Sequence, residues 1–388
     1  MQDKRLAIFF SGDFPDGNMH NARLKGIGSE LGKHQWRSDY ISIFPSRYSS
    51  TKSEPQISSW EGLLVKYLSI GTTYFSNKFL RVLQIISGHI HLLFFLLRNH
   101  KKYDAYYFYM PLITDTLWAV FLMSIFGKTI IVDQTELFSS RASKFKWIHK
   151  FEEEVCAKAA DGLVVISKNL QEHYLNCYNT KSYVLPIFVD LKRFTTPCNA
   201  EPGVIGYVGS FGPKDGLEYV LNEFSKAVKS LGDLKLRLFG YAYNLDELKS
   251  KISNLGLNEK VQLTGKLDYD DIPSALKSCD SLIMNRTHEE FSTFGYPWKL
   301  GEYLASNRLI LMSDSGGFSE DFIDKKHLLK YKGQKDSSLS EVINYRYSKG
   351  FDESTVLNNA YEFVLKNFDQ TQNVSNFKDF INQLISKS

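Results

Sequence analysis

The chain has 388 residues, 43% of them hydrophobic and 23% charged, with a formal net charge of +4. That length is long for one compact core and points to two domains. The composition excludes a disordered or low-complexity protein, and so small a net charge gives no ground for nucleic-acid binding. The four cysteines (Cys156, Cys177, Cys198 and Cys279) have no short CxxC spacing, which argues against a zinc site or a disulfide framework.

The N-terminal stretch MQDKRLAIFFSGDFP holds five apolar residues before Ser-Gly-Asp, too few for a signal peptide. Residues 6–10 read as a first strand that feeds a Gly/Pro loop beginning near Gly12, and residues 20–31 as a helix. Residues 106–109 are a strand, 112–126 a helix, and 129–132 a strand ending in Asp133-Gln134-Thr135-Glu136. Residues 148–160 are a helix and 162–166 a strand ending at Ser167. Strands that alternate with helices imply a doubly wound parallel sheet. The longest apolar runs, 85–97 and 117–126, fall short of a membrane span. Without a leader or a span, the chain is expected in the cytoplasm.

A composition shift at residues 195–203 (TTPCNAEPG) marks a boundary. The expected domains are 1–197 and 198–369, with a last helix at about 370–388 packing back on the first domain. The α/β pattern restarts after the boundary, with strands at 204–208, 235–239, 261–264, 281–284 and 309–312. Gly209 to Gly216 form the loop after its first strand. Two α/β domains with Gly-rich loops at their strand ends imply a cleft in which small molecules bind.

The stretch 291–307, FSTFGYPWKLGEYLASN, organises the second half. A Gly295-Tyr296-Pro297 turn runs into a helix that carries Lys299 and Glu302. Pro suits a first helical turn, and a helix that starts beside a Gly turn offers N–H groups to an anion. Lys299 and Glu302 are three apart and so lie on neighbouring parts of one face. One could meet a phosphate while the other accepts bonds from sugar hydroxyls; equally, both could be solvated on an amphipathic helix.

In order, residues 164–167 (VVIS), 185–194 (LPIFVDLKRF), 205–216 and 296–305 (YPWKLGEYLA) resemble the GT-B glycosyltransferases of retaining family four. The resemblance covers nearly the whole chain. It implies two Rossmann-like doubly wound domains facing a cleft, and a donor nucleotide sugar on the C-terminal one. Glu302 matches the second Glu of the family's E-x7-E motif, which hydrogen-bonds the donor ribose. Leu300, Gly295, Tyr296 and Pro297 belong to the same donor motif, and the Gly295-Tyr296 turn would offer N–H groups to the diphosphate. Gly209 would let its loop approach the nucleotide closely. Gly12, in the N-terminal Gly/Pro loop before the helix bearing Arg23, is a further donor-binding candidate, and that opening resembles the family's acceptor side.

Some positions depart from the family pattern. The first Glu of E-x7-E is Phe294, with Glu289 and Glu290 upstream. The family's diphosphate Arg is Ser210, and its Lys partner is Asp215, with Lys214 one residue earlier. Cationic help for a leaving diphosphate would come from Lys299, Lys214 or Arg286, in that order, because only Lys299 matches its motif position. An acceptor-side His has no clear counterpart; Glu136 and His20 are the candidates there, and Glu136 could instead cap the segment that follows it.

The resemblance implies retaining transfer of a sugar from a UDP- or GDP-sugar to a hydroxyl, by a hexosyltransferase-type enzyme of polysaccharide or glycan assembly. No cofactor or metal is expected, and Asp270-Asp271 reads as N-capping charge. The acceptor would be a glycan or a lipid-linked one. Residues 143–151 (SKFKWIHKF) combine cations with aromatics and suit peripheral contact with the inner face of a membrane. The apolar run at 85–97 reads equally well as a core helix of the first domain. Two further readings stand beside this one: a GT-B protein that binds a sugar nucleotide or a partner without catalysis, and a nucleotide-sugar epimerase.

Overall fold

A computed structural model gives the fold and describes all residues except 1–2, 13, 15–18, 45–56, 61–62, 72–73, 141–143, 210, 213–214, 243, 288–292, 333–336, 349 and 388. The chain divides into two compact units, Met1–Pro186 with Gln370–Ser388, and Ile187–Asp369. The division falls ahead of the composition shift at 195–203, because Ile187 and Val189 pack under Gly301 of the second unit. Phe188 likewise meets Trp298 edge-on at 5.6 Å.

The first unit runs β1 (Lys4–Phe10), α1 (Met19–Gly32), β2 (Trp36–Ser42), β3 (Ile57–Trp60), β4 (Leu63–Tyr67), α2 (Lys78–Asn99), β5 (Ala105–Tyr109), α3 (Leu117–Ile125), β6 (Ile130–Gln134), α4 (Lys146–Ala159), β7 (Gly162–Val165), α5 (Lys168–Tyr178) and β8 (Ser182–Val184). Its eight strands lie in the order β3-β4-β2-β1-β5-β6-β7-β8. Every pairing is parallel except that of β3 with β4 at the edge. β1, β5 and β6 are apolar and buried nearly throughout, as strands covered on both faces must be. β2 (WRSDYIS) lacks that signature. It sits inside the sheet because its buried Asp39 accepts from Arg5 at 3.0 Å, Tyr103 at 2.9 Å and Lys102 at 3.3 Å.

One buried network ties the unit together. Arg23 of α1 donates to Asp133 of β6 at 2.6 and 3.0 Å and to the Pro186 carbonyl at 3.0 Å. The Tyr107 hydroxyl also donates to Asp133. Burial works to lower the Arg23 pKa, but the Asp133 charge and hydrogen bond together with Tyr107 and Tyr109 hold the guanidinium above its ordinary value. Asp133 is therefore part of the framework. The cysteines are all free thiols.

The second unit runs β9 (Glu201–Gly209), α6 (Leu217–Leu231), β10 (Lys235–Gly240), α7 (Leu245–Asn254), β11 (Val261–Gly265), α8 (Ile272–Lys277), β12 (Cys279–Met284), α9 (Lys299–Ala305), β13 (Leu309–Ser313), β14 (Leu329–Tyr331), α10 (Leu339–Arg346) and α11 (Glu353–Asn367); the last helix, α12 (Gln370–Ile385), belongs to the first unit. Six parallel strands lie in the order β11-β10-β9-β12-β13-β14. Ile205, Leu236, Leu238 and Ile283 of the sheet pack on Phe224 of α6, and this cluster is the core. Successive strands leave β9 in opposite directions, β10 to one side and β12 to the other, so the sheet has its switch point there.

Two sequence expectations need correction. The helix of the organising stretch begins at Lys299, not at Pro297, and has seven residues. So short a helix adds little dipole, and the charge at its start must come from side chains. The apolar run at 85–97 is part of a continuous helix of 22 residues, α2, long and apolar enough by length and composition to cross a bilayer. It is not a core helix either, since only about 28% of its apolar window is buried.

Candidate functional site

In an open α/β sheet, ligands bind outside the carboxyl ends of the strands at the switch point. In the second unit that place is the end of β9 beside the end of β12, and two cations converge on it. Lys299, only 6% exposed, points back from the start of α9. It donates to the Val208 carbonyl at 3.1 Å and the Tyr207 hydroxyl at 3.2 Å, and its Nζ lies 4.3 Å from the Tyr207 ring centre. Arg286, just beyond β12, is fixed through its backbone: its N–H donates to Ser313 Oγ at 2.8 Å and its carbonyl accepts from Ser315 Oγ at 2.8 Å.

Both cations face one carboxylate. Asp215 Oδ1 lies 3.5 Å from Lys299 Nζ and 3.5 Å from Arg286 Nη1. The loop that carries it is pinned from below: Asn285 Nδ2 donates to the Asp215 carbonyl at 2.8 Å, and the Tyr331 hydroxyl donates to Asn285 Oδ1 at 2.7 Å. Burial and the neighbouring Asp215 charge hold the Tyr207 hydroxyl well above its ordinary pKa, so it stays a neutral donor and acceptor. The 3.5 Å separations exceed the usual length of a charge-assisted bond. Asp215 thus holds both cations loosely. The result is a cluster of two cations and one carboxylate at the strand ends, buried at Lys299 and partly buried at Arg286, suited to a multiply charged anion.

The backbone leaves room for such a ligand. β9 ends in Gly209, where a Cβ would lie 3.2 Å from the Tyr207 ring and 3.5 Å from Lys299 Nζ. Gly240 on the adjacent β10 has φ +144°, and its Cβ would fall 1.8 Å from the Gly209 carbonyl. Only glycine lets the two strand ends approach this closely. At Gly295 a Cβ would meet nothing within 4 Å, so that turn stands clear.

On the same short helix, Glu302 accepts from Arg193 Nη1 at 3.1 Å. Arg193 also donates to the Tyr269 carbonyl and stacks on the Tyr269 ring with its guanidinium carbon 3.5 Å from the centre. Burial pushes the Glu302 carboxyl above its ordinary pKa, and the Arg193 charge and hydrogen bond offset this only in part. Tyr303, the next residue, accepts from the Val208 N–H at 2.8 Å and so ties α9 to β9.

The structure therefore brings Lys299, Arg286, Gly209, Gly295 and Glu302 into the second unit's strand-end region or onto the helix beside it. Two readings change. Leu300 is fully buried in the core and its N–H donates to the Pro297 carbonyl at 3.0 Å, so it supports the helix and has no face for a donor. The Tyr296 ring is buried against Phe318 and Phe368, and its hydroxyl donates to Asp321 at 3.1 Å. Its side chain is thus structural, and with Pro297 it shapes the approach to α9. Gly12, two residues after β1 in the first unit, has φ +132°. Ser210, Lys214, Glu289 and Glu290 lie outside the described residues.

Glu136 and His20 belong to the first unit. Glu136 follows β6 and lines a shallow recess with Gln134, Phe138, His149 and Glu152. His20 lies in α1; its side chain is outside the described residues. The structure does not bring them together with Lys299 in one unit. Sequence reading missed Tyr207 and Arg193. The aromatic at 207 reads as one more buried strand residue, and nothing near 193 signals a partner 109 residues away. Among the described residues there is no group of His, Cys, Asp and Glu arranged to hold a metal ion.

Comparison with known proteins agrees with this geometry. Residues 189–362 match the family model of Glycosyl transferases group 1, which is nearly all of the second unit. Sucrose-phosphate synthase from Thermosynechococcus elongatus superposes on 99% of this chain and 100% of its own at a TM-score of 0.80 and 16% identity. The HepE protein of Anabaena, solved in complex with UDP and glucose, covers 98% of this chain and 100% of its own at a TM-score of 0.71 and 14% identity. At such identities the likeness shows the fold, which is GT-B. A 2-deoxystreptamine glucosyltransferase of Streptomyces kanamyceticus is 27% identical over 99 residues, which span 26% of this chain and only 25% of that protein.

Proposed function

We propose that this GT-B chain, whose second unit is a Glycosyl transferases group 1 domain, transfers a hexose from a nucleotide diphosphate sugar to a hydroxyl group with retention of configuration. The observation that carries the reading is the pair of cations, the buried Lys299 and the partly buried Arg286, converging at the strand-end switch point. In the reaction the bond from the anomeric carbon to the diphosphate oxygen breaks and the acceptor oxygen takes its place, its proton leaving to base. Negative charge grows on the departing diphosphate. Fixed cations in a dry site stabilise that charge without reorganising, which is where such catalysis gains most. Lys299 and Arg286 supply this charge in place of a metal, and Glu302 accepts hydrogen bonds from the ribose hydroxyls. The HepE complexes make UDP the first nucleotide to try. A glycan or lipid-linked hydroxyl is the acceptor class, on the cytoplasmic side.

Asp215 supports a second reading. A carboxylate already placed between the cations opposes the negative charge that grows on a departing diphosphate, and with Phe294 at the position of the first motif Glu it suits a protein that binds a sugar nucleotide without turning it over. One set of measurements separates the two. The melting temperature is followed with UDP, GDP and their glucose and N-acetylglucosamine sugars for wild type, Lys299→Met and Glu302→Ala, since a ligand of the native state raises it. A shift with one nucleotide, lost in both variants, supports the donor site. Turnover of that sugar in the presence of EDTA, with the product's anomeric configuration read by NMR, supports the enzyme. Binding without any turnover favours the second reading, and no shift with any nucleotide overturns both.

A further inference from the structure

Helix α2 buries Leu92, Phe95 and Leu96 along one face of its second half, yet leaves an apolar stripe on the opposite face. Its inward face carries polar groups that hold it to the first unit: Gln84 Nε2 donates to the Ile70 carbonyl at 2.6 Å, Ser87 Oγ accepts from the Ile70 N–H at 3.1 Å, and His91 Nδ1 meets the Leu68 carbonyl at 2.6 Å. Gly88 lies so close to the neighbouring backbone that a Cβ there would come within 2.3 Å of the Ile43 carbonyl. Its outward face is apolar. Phe79, Leu83, Ile86, Ile90, Phe94 and Leu97 recur at steps of three and four and form one stripe; Phe79 is 70% and Phe94 58% exposed.

The stripe continues onto α3. Trp118 Nε1 donates to His89 Nδ1 at 3.1 Å, and the His100 ring stacks on Phe126 at 5.4 Å, which locks the two helices side by side. Phe121 and Ile125 of α3 are 60% and 66% exposed. An apolar face of this extent marks a partner. Its charge says which kind. Between Glu61 and Asp104 there is no Asp or Glu, while the exposed Lys78, Arg81, Arg98 and Lys101 give four cations at the ends of α2.

We propose that the α2–α3 face of the first unit docks in the interface of an anionic membrane, with α2 lying in the plane and its flanking cations on the lipid headgroups. Apolar side chains on one face with basic residues at the ends are what such surfaces bind. Although long enough to span, α2 does not cross: its inward side is hydrogen-bonded to the protein and cannot face lipid. A second copy of the chain fits less well, because a two-fold pair through this face would set the same cations against each other. The stretch at 144–151 is a lesser contact, with Trp147 70% exposed but Glu152 and Glu153 following directly in α4.

The test is co-sedimentation of the full chain with vesicles of phosphatidylcholine alone and of phosphatidylcholine mixed with phosphatidylglycerol, at low and high salt. The wild type is expected to pellet with the anionic vesicles at low salt and to be released by high salt. Phe94→Asp with Phe121→Asp, and separately Arg98→Glu with Lys101→Glu, should each weaken binding by about tenfold or more. These positions are exposed, so unchanged melting temperatures show that the variants fold. Wild type left in the supernatant overturns the proposal, as does equal binding to neutral vesicles. A dimer in solution that Phe94→Asp dissociates, with no vesicle binding, assigns the face to a second copy. None of these results bears on nucleotide binding by the second unit, so the two readings fail separately.

Discussion

Asp215→Asn is the most informative single change in this protein. The substitution keeps the size of the side chain and removes the negative charge that faces both Lys299 Nζ and Arg286 Nη1 at 3.5 Å. At an effective dielectric of about 20, each of those pairs is a gross attraction of about 5 kcal/mol. Their loss takes this carboxylate from the buried Lys299 and the partly buried Arg286, and removing one partner of a buried pair costs about 3–5 kcal/mol. For a unit of this size that corresponds to a drop of about 10 °C in melting temperature. Ligand affinity should move the other way. A phosphate seated between the cations lies about 5 Å from the carboxylate and meets a repulsion of about 3 kcal/mol, which the variant lacks. Allowing for screening and relaxation, UDP should bind about ten- to a hundredfold more tightly. The assay is calorimetric titration with UDP beside thermal melts with and without it; the variant should melt lower alone and gain more from ligand. If the variant loses stability as expected yet binds UDP no better than wild type, the cation pair is structural and the anion site lies elsewhere.

Three more outcomes are expected. Burial raises the Glu302 carboxyl above the ordinary carboxylate range, so on acidification the folded protein takes up this proton early. The ion pair with Arg193 is present above the folded pKa and lost as pH falls through it. The group's own contribution to stability has the opposite sense: it is present below the unfolded pKa and lost as pH rises through the folded one. Affinity for a UDP-sugar, whose esterified diphosphate gains no proton there, should therefore weaken from above the usual carboxylate range downwards, while Glu302→Gln titrates flat; a wild-type profile as flat as the variant's refutes the role. Asp133→Asn leaves Arg23 buried with a neutral partner and should lower the stability of the first unit by about 3–5 kcal/mol in urea unfolding; a loss under about 1 kcal/mol would contradict the buried-pair account. Gly240→Ala places a methyl 1.8 Å from the Gly209 carbonyl at a φ of +144°. It should destabilise the second unit by at least about 1–3 kcal/mol and weaken UDP binding by displacing the β9 end; unchanged melting and binding would show that the strand ends separate freely.

Much of the architecture is legible in the sequence because it rests on local pattern. The apolar runs of β1, β5, β6, β9 and β12, each followed by a polar or glycine-rich loop, announce parallel strands buried on both faces. The turn at 295–297 with Lys299 and Glu302 beyond it marks the helix of the candidate site by the same local means. β2 was hidden, because its Asp39 looks like a loop residue until Arg5, Lys102 and Tyr103 are seen around it. The reach of α2 was also hidden, since periodicity reports an apolar stripe and not whether it turns inward.

What only the tertiary structure decided is which charges meet. Lys299 and Asp215 are 84 residues apart, Arg193 and Glu302 109, and Arg23 and Asp133 110. A sequence specifies each of these side chains one at a time, and the energy of an ion pair depends on distance and burial, which exist only once the strands are in register. Asp215, a mere departure from pattern along the chain, becomes in space the counter-charge of the two cations that make the site.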